Sequence, residues 1–191
     1  MKKSATFMAL TLTSLISLAG GSATIDCGST NKPTIHLTYA TGSDATMSGL
    51  FWLGIISPDQ NSGVVLTEDG WAEYKGGLYP FQTRYDNGLP SVITKTITFP
   101  YNAMSTGLYQ GYTLYVGHGA YTTQAREKVA VRREVLTTAK PELVARGRWR
   151  PENDNDLIYV HALVQKNMVD NQKYGGVLLI PALDCTQQFG N

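Results

Sequence analysis

Leu50-Phe51-Trp52-Leu53-Gly54-Ile55-Ile56 is a dense apolar run, closed by Ser57-Pro58-Asp59 as a turn. Its length and its β-branched and aromatic content suit a central strand of a sheet. Working outward, residues 64–66 read as a short partner strand, punctuated by Glu68-Asp69-Gly70. Upstream, residues 33–39 alternate: Ile35, Leu37 and Tyr39 fall on one face, Thr34, His36 and Thr38 on the other. That period of two marks a half-buried strand. Residues 92–99 alternate in the same way, with Ile93, Lys95, Ile97 and Phe99 opposing Val92, Thr94, Thr96 and Thr98. Residues 108–116 carry Tyr109, Tyr112, Leu114, Tyr115 and Val116, all β-favouring types.

Short strands with turn signals between them predict a mainly β chain, an immunoglobulin-like antiparallel β-sandwich. Residues 71–90, rich in Gly, Tyr and Pro, read as an ordered surface loop, since disordered loops are rarely so aromatic. Binding residues often sit on such loops.

After Tyr121 the texture turns helical, which adds a C-terminal helical segment and a final strand to the β fold. Thr122 or Thr123 can cap a helix over residues 124–138, with Ala125, Val129, Arg132 and Leu136 inward and Arg126, Arg133 and Lys140 toward solvent. Pro141 then starts a second short turn, 142–145, closed by Gly147. Asp154 or Asp156 caps a third segment, 157–168, where Leu157, His161, Val164 and Met168 keep helical spacing. A strand over 157–164 is the competing reading. Residues 177–180 form the final strand.

The N-terminus has the zones of a secretory signal: Lys2 and Lys3, an apolar stretch from Phe7 to Leu18, then the small residues Gly21-Ser22-Ala23. The apolar stretch is short of the ~20 residues that cross a bilayer. Cleavage after Ala23 leaves residues 24–191, read as one disulfide-linked β-rich domain in the periplasm or outside the cell. Two cysteines, Cys27 and Cys185, stand near the two ends of that domain. An even count in an exported chain favours a bridge. The chain has 16 basic and 15 acidic residues, and two of the basic ones are Lys2 and Lys3. A mature domain so close to neutrality has no global pull toward nucleic acid or anionic lipid.

Signatures of catalysis are missing from the sequence. Neither a G-x-S-x-G elbow nor a Walker lysine is present, and His36, His118 and His161 have no metal-ligand spacing. His118, between Gly117 and Gly119, reads as a turn that needs flexible backbone. Residues 152–156 open like a calcium loop, but Leu157 and Leu163 stand where its glycine and bidentate glutamate belong. The expectation is a non-enzyme with no cofactor and no metal.

One local feature stands out. Residues 126–150 hold eight basic side chains against three acidic ones. Arg126, Arg133, Arg146, Arg148 and Arg150 are the candidates for steering an acidic protein partner, and Trp71 and Tyr79 are the candidates for apolar anchors.

Residues 48–59 with 66–71, and Gly111-Tyr112-Thr113-Leu114-Tyr115-Val116-Gly117, resemble strands of modules in bacterial surface proteins, including tip-adhesin proteins of type IV pili. The plan of a signal followed by a small domain with a cysteine near each end is similar to that of periplasmic type IV pilus assembly or stability factors. The resemblance implies an envelope protein that supports pili through protein contacts without catalysis. Two other readings compete: a carbohydrate-binding or adhesive module stacking sugars on Trp71, Tyr74, Tyr79 and Tyr85, and a hydrolase or hydrolase inhibitor built on His118.

Overall fold

The computed structural model describes residues 20–27, 33–100 and 107–182. Along them run strands β1 (Gly21–Asp26), β2 (Thr34–Ala40), β3 (Gly49–Ile56), β4 (Gly63–Thr67), β5 (Gly70–Glu73), β6 (Thr83–Tyr85), β7 (Val92–Thr98) and β8 (Thr113–Ala120), helices α1 (Thr123–Ala145) and α2 (Leu157–Asp170), and strand β9 (Tyr174–Leu179). The chain is mainly β. One antiparallel sheet has the order β1-β2-β7; the other has the order β5-β4-β3-β8-β9, with β6 also paired to β3.

β3 occupies the centre of the larger sheet, between β8 on one side and β4 and β6 on the other. Phe51, Leu53 and Ile55 point between the sheets, where they meet Ile35, Leu37, Ile93, Leu114 and Val116. Leu50 and Trp52 point the other way and pack with Val164 and Met168 of α2. A strand covered on both faces needs no polar positions, which is why its sequence runs apolar without alternating. Each fully buried side chain of this size contributes roughly 1.5–3 kcal/mol. β2 and β7 have one covered face each, so their sequences alternate.

The Thr122 hydroxyl caps α1 by accepting from the Ala125 N–H at 3.2 Å. Pro141, expected to begin a separate turn, lies inside α1. Its ring removes one donor to the exposed turn before it, where water can serve the carbonyl left over, so the helix continues. The segment after Asp156 is helical, not a strand.

Two further expectations need revising. The strand expected from residue 108 starts at Thr113, behind a turn in which Leu108 is exposed, and runs on through Gly117-His118-Gly119 to Ala120. The supposed loop at 71–90 contains β5 and β6. Apart from these, Gly21, Ser22 and Ala23 form the first half of β1. Cys27 is buried just beyond β1, whereas Cys185 lies outside the described residues. Among the described residues no helix is long and apolar enough to cross a membrane.

Candidate binding groove and the buried histidine network

Gly117 and Gly119 face α2. A Cβ on Gly117 would stand 2.6 Å from the Met168 sulfur, and one on Gly119 only 2.1 Å from the Val164 carbonyl oxygen. The two glycines therefore exist to let α2 lie directly on β8, not to make a turn. The intervening His118 points into the space between the sheets.

There His118 joins three distant segments. Its Nδ1 lies 2.8 Å from the Tyr39 hydroxyl, and its Nε2 lies 3.0 Å from Asp44 Oδ2. Lys173 Nζ donates to the same Asp44 oxygen at 2.5 Å and to Asn167 Oδ1 at 3.0 Å. Tyr39, His118 and Asp44 retain only 2%, 4% and 6% of their exposure. Burial lowers the His118 pKa, opposed by the Asp44 carboxylate. Burial, with help from Asp44, pushes the Tyr39 hydroxyl up to about 12. The neutral ring thus donates from Nε2 to Asp44 and accepts the Tyr39 proton at Nδ1. The Tyr39 oxygen also sits 3.1 Å from the Lys173 carbonyl, but its single proton serves only one acceptor at a time. An Asp–His–Tyr series of this kind resembles a proton relay, with all three side chains buried. Its visible work is to tie β2, the turn at Gly42–Asp44, β8 and the start of β9 together.

A groove of about 740 Å³ opens on the α2 side of the larger sheet. Leu50, Val160 and Val164 form its floor, Phe81 and Arg84 one wall, and Tyr121 and Arg126 the other. Leu157 and Ile158, on the first turn of α2, line its rim and remain 58% and 62% exposed. Arg84 is paired with Asp86 at 2.7 Å. The Arg126 guanidinium lies 5.3 Å from the Tyr121 ring centroid and has no carboxylate partner among the described residues. The groove therefore offers apolar surface with one uncompensated positive charge.

Tyr79 fixes the Phe81 wall through its backbone. Its carbonyl accepts from Trp52 Nε1 and from His161 Nε2, both at 2.8 Å, while its N–H donates to Gln165 Oε1 at 2.7 Å. The His161 ring stacks on Trp52 and meets Phe81 edge-on, and burial lowers its pKa.

The expected partner residues do not share one surface. Arg126 lines the groove. Arg133, with Arg132, is committed to the carboxylate of Asp156, which anchors α1 to the start of α2. That use of the carboxylate leaves Asp156 at the N-cap of α2 without a capping bond. Arg146 pairs with Glu142 one turn back, at 2.5 Å. Arg148 and Arg150 are exposed. Trp71 is not a free loop aromatic: it packs on the core from β5 and donates to the Thr98 carbonyl at 2.9 Å. Tyr79 stacks on Tyr74, with ring centroids 4.7 Å apart. Tyr85 also packs against the core, so the four aromatics offered for sugar stacking form no common platform.

Asp154 and Asp156, within residues 152–156, are both paired. Asp154 accepts from Lys140 at 2.6 Å and from Trp149 Nε1 at 3.1 Å, which lowers its pKa. Among the described residues, no cluster of three or more His, Cys, Asp or Glu side chains could hold a metal ion. His36 is exposed and lies 3.1 Å from Asp26. Sequence reasoning missed the groove because Phe81 with Arg84, Tyr121 and Ile158 come from three separate segments. Only Leu157-Ile158, an apolar pair in the first turn of a helix, carried a local signal.

Comparison with protein-family models, with curated proteins and with solved structures gives no match.

Proposed function

We propose that this is an exported, non-catalytic protein of the bacterial cell envelope that supports type IV pilus assembly or stability through protein–protein contacts. The groove beside α2 carries this reading. Its apolar floor, exposed Leu157 and Ile158 and uncompensated Arg126 favour a partner segment that sets a carboxylate beside apolar side chains. Arg148 and Arg150 would add steering charge outside the groove.

The same proposal includes the immunoglobulin-like assignment. The order β1-β2-β7 against β5-β4-β3-β8-β9 supports it, because a variable-type sandwich also extends its second sheet by two strands beside the third. On this reading α1 and α2 are an insertion between the last two strands. β6 departs from the pattern by pairing with β3 instead of β7. A bridge between Cys27 and Cys185 completes the proposal; labelling of two thiols in unreduced, denatured protein would remove it.

The deciding experiment counts surface pili on a deletion strain complemented with variants at equal protein level. Arg126→Glu combined with Ile158→Asp is expected to behave like the deletion, while Arg148→Glu with Arg150→Glu gives a partial loss that narrows against wild type as salt rises. Normal piliation in the deletion strain overturns the pilus role. Normal piliation with the groove variant overturns the groove.

A further inference from the structure

Cleavage after Ala23 would cut through a strand. β1 pairs residue for residue with β2, from Gly21 opposite Tyr39 to Asp26 opposite Thr34. The pairing extends one residue further, since the Ala40 N–H donates to the Gly20 carbonyl at 2.8 Å. Ala23 is buried in the main core. Gly21 sits so close to its neighbours that a Cβ there would stand 2.8 Å from Cδ2 of Tyr39 and 3.3 Å from Val177 Cγ1 of β9. Tyr39 is also the residue whose hydroxyl meets His118. Losing residues 20–23 would strip the backbone partners from Leu37, Thr38, Tyr39 and Ala40, and open the core beside the histidine network.

We propose that the signal is removed after Ala19, so that the mature chain begins at Gly20. The sequence supplies what a signal peptidase needs there: Ser17 and Ala19 place small side chains at the third and first positions before the cut, with Leu18 between them. Phe7–Ile16 remains as an apolar core of ten residues, within the range of a secretory signal. The chemistry is hydrolysis of the Ala19–Gly20 amide by the host's signal peptidase, with water adding across the bond. It leaves the Gly20 carbonyl free to bond Ala40. Processing after Ala23 would meet the same requirement for small residues, using Gly21 and Ala23, but it discards half of a buried strand that the folded domain uses. The inference rests on the proposed export and adds the position of the cut.

The test is N-terminal sequencing, with intact-mass measurement, of the protein recovered from the exported fraction of cells expressing the full precursor. Gly-Gly-Ser-Ala-Thr is expected. A chain starting Thr-Ile-Asp overturns the position while leaving export intact. An uncut chain starting at Met1 overturns both. Ala19→Arg, which lies before the first strand, supplies the second arm: the precursor should accumulate uncut or be diverted, and wild-type processing of this variant would overturn the assignment.

Discussion

Gly119 lies directly under the backbone of Val164, so close that a Cβ on it would stand 2.1 Å from the Val164 carbonyl oxygen. The obstacle is helix backbone, which cannot rotate aside as a side chain can. Gly119→Ala must therefore push α2 off β8. We expect a loss of about 1–3 kcal/mol or somewhat more, the range for overpacking a well-filled interior. Gly117→Ala, whose nearest obstacle is the flexible Met168 side chain, should lose less. Urea unfolding of the two variants, with hydrogen exchange over α2, checks the order.

The histidine network predicts a pH dependence. Burial lowers the pKa of both His118 and His161, so the folded state prefers their neutral rings. An unfolded chain titrates histidine near ~6.5. Stability from these rings is thus complete above about pH 6.5 and is lost as pH falls below it, toward the lower folded-state values. The slope can approach ~1.4 kcal/mol per pH unit for each ring. Asp44, which faces His118 together with Lys173, moderates the loss by favouring the charged ring. Urea midpoints measured between about pH 5 and 8 should fall toward the acid end, and His118→Gln should flatten that fall.

What could be read in the sequence follows from how local each feature is. β3 was legible because burial on both faces removes polar residues from a contiguous run, and β2 and β7 because one covered face imposes alternation. β5 and β6 were not, since four and three residues are too few to show a period. The His118 site was hidden for a different reason. Tyr39 and Asp44 stand 79 and 74 residues from it in the chain, and only the packing of one sheet on the other brings them together. Gly117 and Gly119 did carry a signal: two glycines at strand spacing mark one face as an approach for backbone, and reading them as a turn missed it. A charge count over the basic segment ignores partners. Asp156 and Asp154, beyond its end, absorb Arg132, Arg133 and Lys140.

Asp156 should therefore matter more than either arginine bound to it. Its carboxylate is buried, whereas Arg133 is largely exposed. Asp156→Ala leaves the partly buried Arg132 unpaired and frees α1 from the start of α2. A cost of about 1–3 kcal/mol is expected, below the 3–5 kcal/mol of a fully buried pair because both arginines reach water. Arg133→Ala should change stability little, since Arg132 still holds the carboxylate. Denaturant unfolding of the two variants separates these outcomes.

The Tyr79 carbonyl, served by both Trp52 and His161, sets the last expectation. Trp52→Phe removes one donor and keeps an aromatic ring packed with Val164 and Met168; His161→Phe removes the other and keeps a ring beside Phe81. Either change alone leaves the carbonyl bonded, so each should cost about 0.5–1.5 kcal/mol. With both donors gone the carbonyl loses its protein partners, and the double variant should lose roughly 0.5–1 kcal/mol beyond the sum, as residues sharing one partner do. Strict additivity would mean that water replaces the donors without cost. Hydrogen exchange at the Tyr79 amide, which bonds to Gln165, gives the local reading: faster exchange in the double variant than in either single one means that the wall carrying Phe81 has come loose. A groove that binds through a fixed wall should then lose piliation in this variant while α1, whose residues make neither bond, keeps its helical signal.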